Sequence, residues 1–256
     1  MNTVLSRFTI LPTERNMIIS RLKSKNMLPI FDYLLENCPK DTSNYTYVTT
    51  VKEHLQEYPM YPFAIKLSAF GNLYTHEQFQ EIYKLSNSTI YMDAEQVRVP
   101  DKTTVDMLRK EYGINFSKTY QMYRKNEIKV LENDIEKYGN NVHYKIVRGA
   151  YWREDHDTGF LYTNKEDTNK QYNDSIELSK DLDTVLYATH NEKSLSLVPK
   201  GKKVAQLLGM SDLVSEDLAK THQVYKYVPF GSYRESVPYL MRRLYENAEM
   251  IQHLFR

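Results

Sequence analysis

The chain has 256 residues, with 34 Lys and Arg against 33 Asp and Glu, so a formal net charge of +1 gives no bulk electrostatic reason to expect a nucleic-acid partner. Its single cysteine, Cys38, excludes a disulfide framework within the chain and suits a reducing compartment. The length suits one large domain with a substantial core, and no apolar run approaches the ~20 residues a bilayer-crossing helix needs.

Within the first 25 residues Arg7, Arg15, Arg21, Lys23 and Lys25 stand against one acid, Glu14. That pattern is shared by mitochondrial transit peptides and by ordinary basic helices, and the second reading is the plainer one. The spacing of Met17, Ile18 and Leu22 predicts a helix over 13–26. An apolar run follows at 28–36, ending in Asp32 and Glu36, then a polar turn over 39–46 and a helix near 47–57. Residues 62–71 read as a buried strand carrying one charge, Lys66. Thereafter strand-like runs alternate with amphipathic stretches. The runs are 89–95 with Asp93, 115–123 with Gln121, 142–152 with Arg148, then 185–191, 204–210 and 224–231. The helical stretches include 75–86 with a Thr75/Gln78 capping box, 101–112 closed by Gly113, and 126–138 closed by Gly139.

Lys66, Asp93, Gln121 and Arg148 are separated by 27, 28 and 27 residues, which gives the chain a regular beat. Short apolar runs alternating with helices mean parallel βα units, and eight such units favour a closed (β/α)8 barrel over an open sheet. No Gly-x-Gly-x-x-Gly turn follows an early strand, which counts against a dinucleotide-binding open sheet. The expected organisation is an N-terminal helical extension over 1–27 and a catalytic barrel over 28–256. A barrel of this kind carries its site at the C-terminal ends of the strands, where these polar residues fall.

The last stretch predicts a helix starting at Pro238, whose missing N–H is not needed in a first turn. On it Tyr239, Arg242, Arg243 and Glu246 share one face. Such a face is normally a solvated one. Two adjacent guanidiniums with one acid nevertheless call for an anion if the face is sheltered, and a helix following strand eight can lean over the barrel mouth. Lys66 in an apolar strand must likewise snorkel or meet an anion. His190 and Asn191 at a strand end are metal-competent types, but no second ligand stands at convincing spacing, and His143 begins its strand, at the wrong end of the barrel. The rim offers many donors (Lys66, Gln121, Lys145, Arg148, Lys165, His190, Arg242, Arg243) and aromatic walls (Tyr151, Tyr227, Tyr239). That inventory suits a phosphate-bearing cofactor with a small carboxylate and lacks an obvious acid–base pair.

The runs Lys66-Leu-Ser-Ala, Asp93-Ala-Glu, Thr119-Tyr-Gln-Met-Tyr123, Arg148-Gly-Ala-Tyr-Trp152, Ala188-Thr-His-Asn191, Gln206-Leu-Leu-Gly-Met210, Tyr225-Lys-Tyr-Val-Pro-Phe-Gly231 and 239–247 resemble, in order, the strand-end motifs of the proline dehydrogenase family. The resemblance implies a distorted TIM-type (β/α)8 barrel holding FAD non-covalently. It implies oxidation of L-proline to Δ1-pyrroline-5-carboxylate, with electrons passing to a quinone. It places Arg242 and Arg243 on the proline carboxylate with Lys66 nearby, Tyr151, Leu207, Tyr227 and Tyr239 around the ring, and Asp93 in the same pocket. Gln121, Lys145, Arg148, Thr163, Lys165, Thr189, His190, Asn191 and Glu246 match positions that contact or support the flavin, and Glu36 matches an acid that gates the site with Arg242. Lys145 stands where many bacterial members have arginine, and Leu35 where glycine usually precedes the gate acid. The implied setting is cytoplasmic or mitochondrial, compatible with peripheral membrane contact and with a downstream pyrroline-5-carboxylate dehydrogenase as partner. Two alternatives stand beside this reading: a 4-hydroxyproline enzyme of the same fold, which a bulky Tyr239 disfavours, and a barrel without catalysis that serves as a scaffold, which the intact polar rim disfavours.

Overall fold

A computed structural model describes residues 7–35, 45–70, 76–95 and 102–246. Eight strands close in sequence order into one parallel barrel. They are β1 (Met27–Tyr33), β2 (Phe63–Ile65), β3 (Ile90–Met92), β4 (Phe116–Gln121), β5 (His143–Val147), β6 (Val185–Ala188), β7 (Lys203–Leu207) and β8 (Gln223–Phe230). Parallel neighbours need crossovers, and helices supply them. Helix α1 (Arg15–Lys23) precedes β1; α2 (Tyr45–Glu57), α3 (His76–Leu85), α4 (Lys102–Tyr112) and α5 (Glu127–Tyr138) follow β1 to β4 in turn. Then come the short α6 (Trp152–Asp155) and α7 (Lys165–Ser179), α8 (Glu192–Leu195), α9 (Asp212–Leu218) and α10 (Tyr233–Glu246). The eight-fold barrel expected from the alternation is the observed one.

Successive side chains of a strand point to opposite faces, and the two faces have different tasks here. Phe31, Phe63, Ile90 and Phe116 turn outward onto Val51 and Leu55 of α2 and Phe79 and Ile82 of α3. Tyr120, Tyr144, Ile146 and Tyr187 turn outward onto Leu131 of α5 and Tyr172 and Ile176 of α7. A separate inner cluster of Ile30, Ala64, Tyr91, Leu186, Ala205, Tyr225 and Tyr227 fills the barrel, with Leu28, Ala188 and Leu207 packed against it. Each fully buried side chain of this size contributes about 1.5–3 kcal/mol, so the helices are held by their outward partners rather than by their own propensity.

The N-terminal residues are stitched to the barrel. Ile10 donates to the Pro229 carbonyl (3.0 Å) and accepts from Gly231 (3.1 Å), bridging to Phe230 at the top of β8. The Arg7 backbone lies so close to Gly209 that a Cβ there would sit 2.3 Å from the Arg7 carbonyl oxygen, and Gly209 also has φ +74°. Phe8 is buried with Leu34, Met210, Tyr239 and Leu240, joining the first residues to the last helix.

Two expectations change. The strand expected over 62–71 is short: after Ile65 the chain turns into a 3-10 segment, Leu67–Phe70, so Lys66 stands at the lip of β2 rather than within it. The last helix starts at Tyr233, not Pro238. Ser232 is its cap: its N–H donates to Glu235 Oε2 (2.6 Å), while its carbonyl accepts from Glu235 and Ser236 (3.1 and 2.9 Å). This contact from the Glu235 carboxylate back to the Ser232 N–H, one half of a capping box, starts the helix upstream, and Pro238 falls inside it.

Candidate functional site at the barrel mouth

The inner face of each strand continues upward from apolar to polar. Above Ile30 comes Asp32, above Ala64 comes Lys66, and above Tyr91 comes Asp93. On β4 and β5 the flanking Tyr120, Met122, Tyr144 and Ile146 all face outward, so Gln121 and Lys145 face in. The top of the barrel therefore gathers charged groups whose burial demands partners. Lys66 is 2% exposed and pairs with Asp32, itself 1% exposed. Lys145 donates to Asp93 Oδ1 (2.5 Å), and the Tyr227 hydroxyl donates to Asp93 Oδ2 (2.5 Å). The Lys145 ammonium also lies 4.8 Å from the centre of the Tyr227 ring.

These groups act on one another. Burial on its own raises the Asp93 carboxyl, but the charges of Lys145 and Lys66 and the hydrogen bonds from Lys145 and Tyr227 outweigh it and hold the group below the usual carboxylate range. Burial first, then the charges of Asp32 and Asp93, push the Tyr227 phenol well above its ordinary value, so it is a neutral donor. The mouth thus presents an Asp93 carboxylate held in its charged form and a neutral Tyr227 hydroxyl in a sheltered place, which suits positioning and recognition.

The remaining rim residues divide by direction. Gln121 donates to the Glu95 carbonyl (2.9 Å) and Arg124 to the same oxygen (2.7 Å). His190 Nε2 accepts from the Leu207 N–H (3.2 Å), which turns the ring toward the top of β7. Arg148 has the opposite parity to Lys145. It lies 4.3 Å from the Tyr172 ring centre and donates to Asn169 (2.8 Å), Thr189 (2.5 Å) and Ser194 (2.7 Å). It clamps the tops of β5 and β6 to α7 and α8. Asn191 caps α8 through Ser194 (3.0 Å), and its own N–H donates to Thr189 (3.1 Å). Thr163 and Lys165 are exposed at the start of α7, and Leu207 is half-buried at the end of β7. Tyr151 is buried, just after Gly149, where any Cβ would fall 2.1 Å from the Tyr123 ring and φ is +131°.

Tyr239 is 4% exposed on α10, where its phenol is near enough to Tyr227 to raise it further. Arg242, Arg243 and Glu246 lie on the same helix, their side chains outside the described ones, and Glu36 and Cys38 lie outside the described residues. Among described residues no group of three or more His, Cys, Asp or Glu could hold a metal ion, and no helix is long and apolar enough to cross a membrane.

Sequence reading missed the role of Asp32. Its signal was present: in Leu28-Pro-Ile30-Phe-Asp32 the acid continues the alternation of the inward side chains. It also missed Glu95, which accepts from the Ser68 N–H (3.0 Å) and hydroxyl and so caps the turn that follows Lys66.

The donor set fits a flavin. Lys145 and Gln121 face the mouth, His190 stands past the end of β6 with its ring turned to β7, and the exposed Lys165 at the start of α7 offers charge at a helix N-terminus. A family model described as proline dehydrogenase matches residues 17–255. Proline dehydrogenase 1, mitochondrial, from Dictyostelium discoideum is 33% identical over 201 residues, covering 63% of this chain and 35% of that protein. The carbapenem antibiotics biosynthesis protein CarD of Pectobacterium carotovorum is 30% identical over 207 residues, covering 71% of this chain and 54% of that protein. The chain therefore spans about a third to a half of the length of these relatives. The solved structure of proline utilization A from Bdellovibrio bacteriovorus, inactivated by N-propargylglycine, superposes with a TM-score of 0.82 at 18% identity, over 95% of this chain and 32% of that one.

Proposed function

The chain belongs to the proline dehydrogenase family, and on that footing we propose that it oxidises L-proline to Δ1-pyrroline-5-carboxylate with FAD, passing the electrons to a quinone. The observation that carries the reading is the sheltered mouth in which Lys66, Asp93, Lys145 and Tyr227 converge at the C-terminal ends of the strands. When bound, FAD supplies the acceptor for hydride leaving proline C5, at flavin N5. The chain's own residues bind and orient. Arg242 and Arg243 take the carboxylate through charge-assisted bonds, with Lys66 nearby, and so set which ring carbon faces the acceptor. Tyr151, Leu207, Tyr227 and Tyr239 wall the ring, and Asp93 lines the pocket. Gln121, Lys145, Thr163, Lys165, Thr189, His190, Asn191 and Glu246 hold the cofactor, while Arg148 serves by fixing Thr189 and Asn169. Glu36 gates the entrance with Arg242.

Tyr239, buried in the wall, favours proline over the ring hydroxylated at C4, although hydroxyproline dehydrogenase from Bos taurus is 33% identical over 163 residues. Delivery of product to a pyrroline-5-carboxylate dehydrogenase, a cytoplasmic or mitochondrial setting and peripheral membrane contact complete the proposal. The test is anaerobic bleaching of the flavin band by L-proline, with trans-4-hydroxy-L-proline as control. Arg242→Met and Arg243→Met each remove a contact worth about 1.5–3 kcal/mol and are expected to raise KM for proline tenfold or more. A colourless protein that takes up no FAD, or an unchanged KM in both variants, refutes the reading.

A further inference from the structure

Position 226 interrupts the outer face of β8. Tyr225 and Tyr227 turn inward, while Val224, Val228 and Phe230 pack outward into the apolar layer. The side chain between those valines is a lysine, 1% exposed. A buried ammonium is tolerated only where it is paired and hydrogen-bonded. Lys226 meets Asp212 Oδ1 (2.9 Å) at the start of α9, and it donates to the Met210 carbonyl (2.6 Å) and the Leu207 carbonyl (3.4 Å). Apolar replacement of a buried ion pair is often neutral or stabilising, so stability alone gives no reason for a lysine among valines. Its reach ties down the loop from β7 to α9. In that loop Gly209 (φ +74°) and Ser211 (φ +51°) both take the left-handed region, a conformation that the surroundings must hold in place. Arg7 holds the other side, its Nε donating to the Gly209 carbonyl (3.2 Å). Leu207 is where the loop meets the site. Its N–H donates to His190 Nε2 (3.2 Å), and its side chain packs against both the inner cluster and the cluster of Met210, Tyr239 and Leu240.

We propose that Lys226 is a positioning residue for ring-size specificity: from behind the wall it fixes the Leu207 and Met210 carbonyls, and so sets how far the Leu207 side chain stands into the mouth and how large a ring the mouth accepts. Held in place, Leu207 occupies the space that a six-membered ring needs beyond a five-membered one. Released, the loop relaxes and the wall yields to the larger ring. This inference rests on the proposed site for a cyclic amino acid, and it deepens that reading by naming what sets the size of the ring.

The test is titration calorimetry of the intact protein, supplied with FAD, with cyclopentanecarboxylate and with cyclohexanecarboxylate, which carry no amine to oxidise. One methylene too many against an apolar wall costs about tenfold or more, so the wild type should favour the smaller ring by about that factor. Lys226→Met should shrink the preference about fivefold. It strands no buried charge, because the Asp212 side chain is 47% exposed. Leu207→Ala should shrink the preference as well, and adding Lys226→Met to it should change the preference no further, since the two act as one unit. Should Lys226→Met fail to fold, Lys226→Gln, which keeps a donor with a shorter reach, carries the test with the same expected direction. A wild type without the preference, equal weakening of both acids in the lysine variants, or a full further shift in the double variant overturns the proposal, because a merely structural role does not discriminate by ring size. Anaerobic bleaching by L-proline is scored separately: a shifted preference without bleaching refutes the proposed oxidation and leaves this assignment standing, while bleaching without a shifted preference does the reverse.

Discussion

Two networks of buried charge lie on opposite faces of the same wall. Inside the barrel, at the mouth, Asp93 accepts from Lys145 and Tyr227 while Lys66 meets Asp32. Outside, beneath α4 and α5, Asp134 accepts from Arg109 (2.7 Å), Lys118 (2.9 Å) and the Tyr120 hydroxyl (2.5 Å). Arg109 also donates to that hydroxyl (2.6 Å) and lies 4.6 and 4.8 Å from the ring centres of Tyr138 and Tyr144. The two sets share composition: lysine, aspartate and tyrosine, with an arginine in the outer one. They differ in what closes them. The outer set is roofed by helices and ties α4 and α5 to β4. The inner set lies on the face from which the final helix carries Tyr239 toward the ring of Tyr227. Burial of charge alone does not mark function. Strand parity and the end of the barrel do.

The contrast predicts which property each network governs. Asp134→Ala strands Arg109 and Lys118 without their shared carboxylate and should cost about 3–5 kcal/mol in urea unfolding, with KM for proline little changed. A large rise in KM with unaltered stability would place that network in the site and break the comparison. Asp93→Asn should do the converse, lowering kcat/KM tenfold or more, an effect of about 1.5–3 kcal/mol, with a smaller loss of stability than Asp134→Ala. A variant that loses stability first and keeps its activity would demote the mouth to scaffold.

The outer layer's intolerance of charge can be read from His54, ringed by Phe31, Tyr58, Phe63 and Phe230. Burial, aided by the Arg15 charge, takes it from 6.5 down to about 3. With the folded value depressed, the unfolded chain binds the proton first. The contribution to stability is full above pH 6.5 and is lost as pH falls toward about 3, at no more than about 1.4 kcal/mol per unit. Urea midpoints between pH 7 and 4 should therefore fall less steeply in His54→Phe; identical slopes would show that His54 titrates as freely folded as unfolded. Smallest is the pair of hydroxyl deletions, each about 1 kcal/mol. Tyr227→Phe should appear in kcat/KM and Tyr120→Phe in Tm, and a swap of those readouts would reverse the comparison.

Much of this was legible beforehand because the barrel is a repeated local pattern. Apolar runs with helices between them imposed parallel units, and polar residues at the ends of those runs marked the mouth. The regular spacing of Lys66, Asp93, Gln121 and Arg148 located the correct strands but not the side on which each residue falls. Arg148 is one residue out of phase with Lys145, and a single step along a strand reverses its face, so it clamps helices instead of facing the mouth. The start of the final helix was misplaced for a different reason. Pro238 is a strong local signal, but the hydrogen bond from the Ser232 N–H to Glu235 lies upstream of it, and a helix once nucleated is prolonged by the packing of Tyr239 and Leu240 against Phe8 and Leu34.

The sequence by itself determined the fold class, the end of the barrel at which the charged side chains gather, and the types of those side chains, because hydrophobic period and turn chemistry are properties of neighbouring residues. Only the tertiary structure decided the pairing. Asp32 with Lys66 spans 34 positions, Asp93 with Lys145 spans 52, and Tyr227 reaches Asp93 across 134. Closure of the barrel brings those groups together, and burial then obliges each charge to take the partner that closure provides.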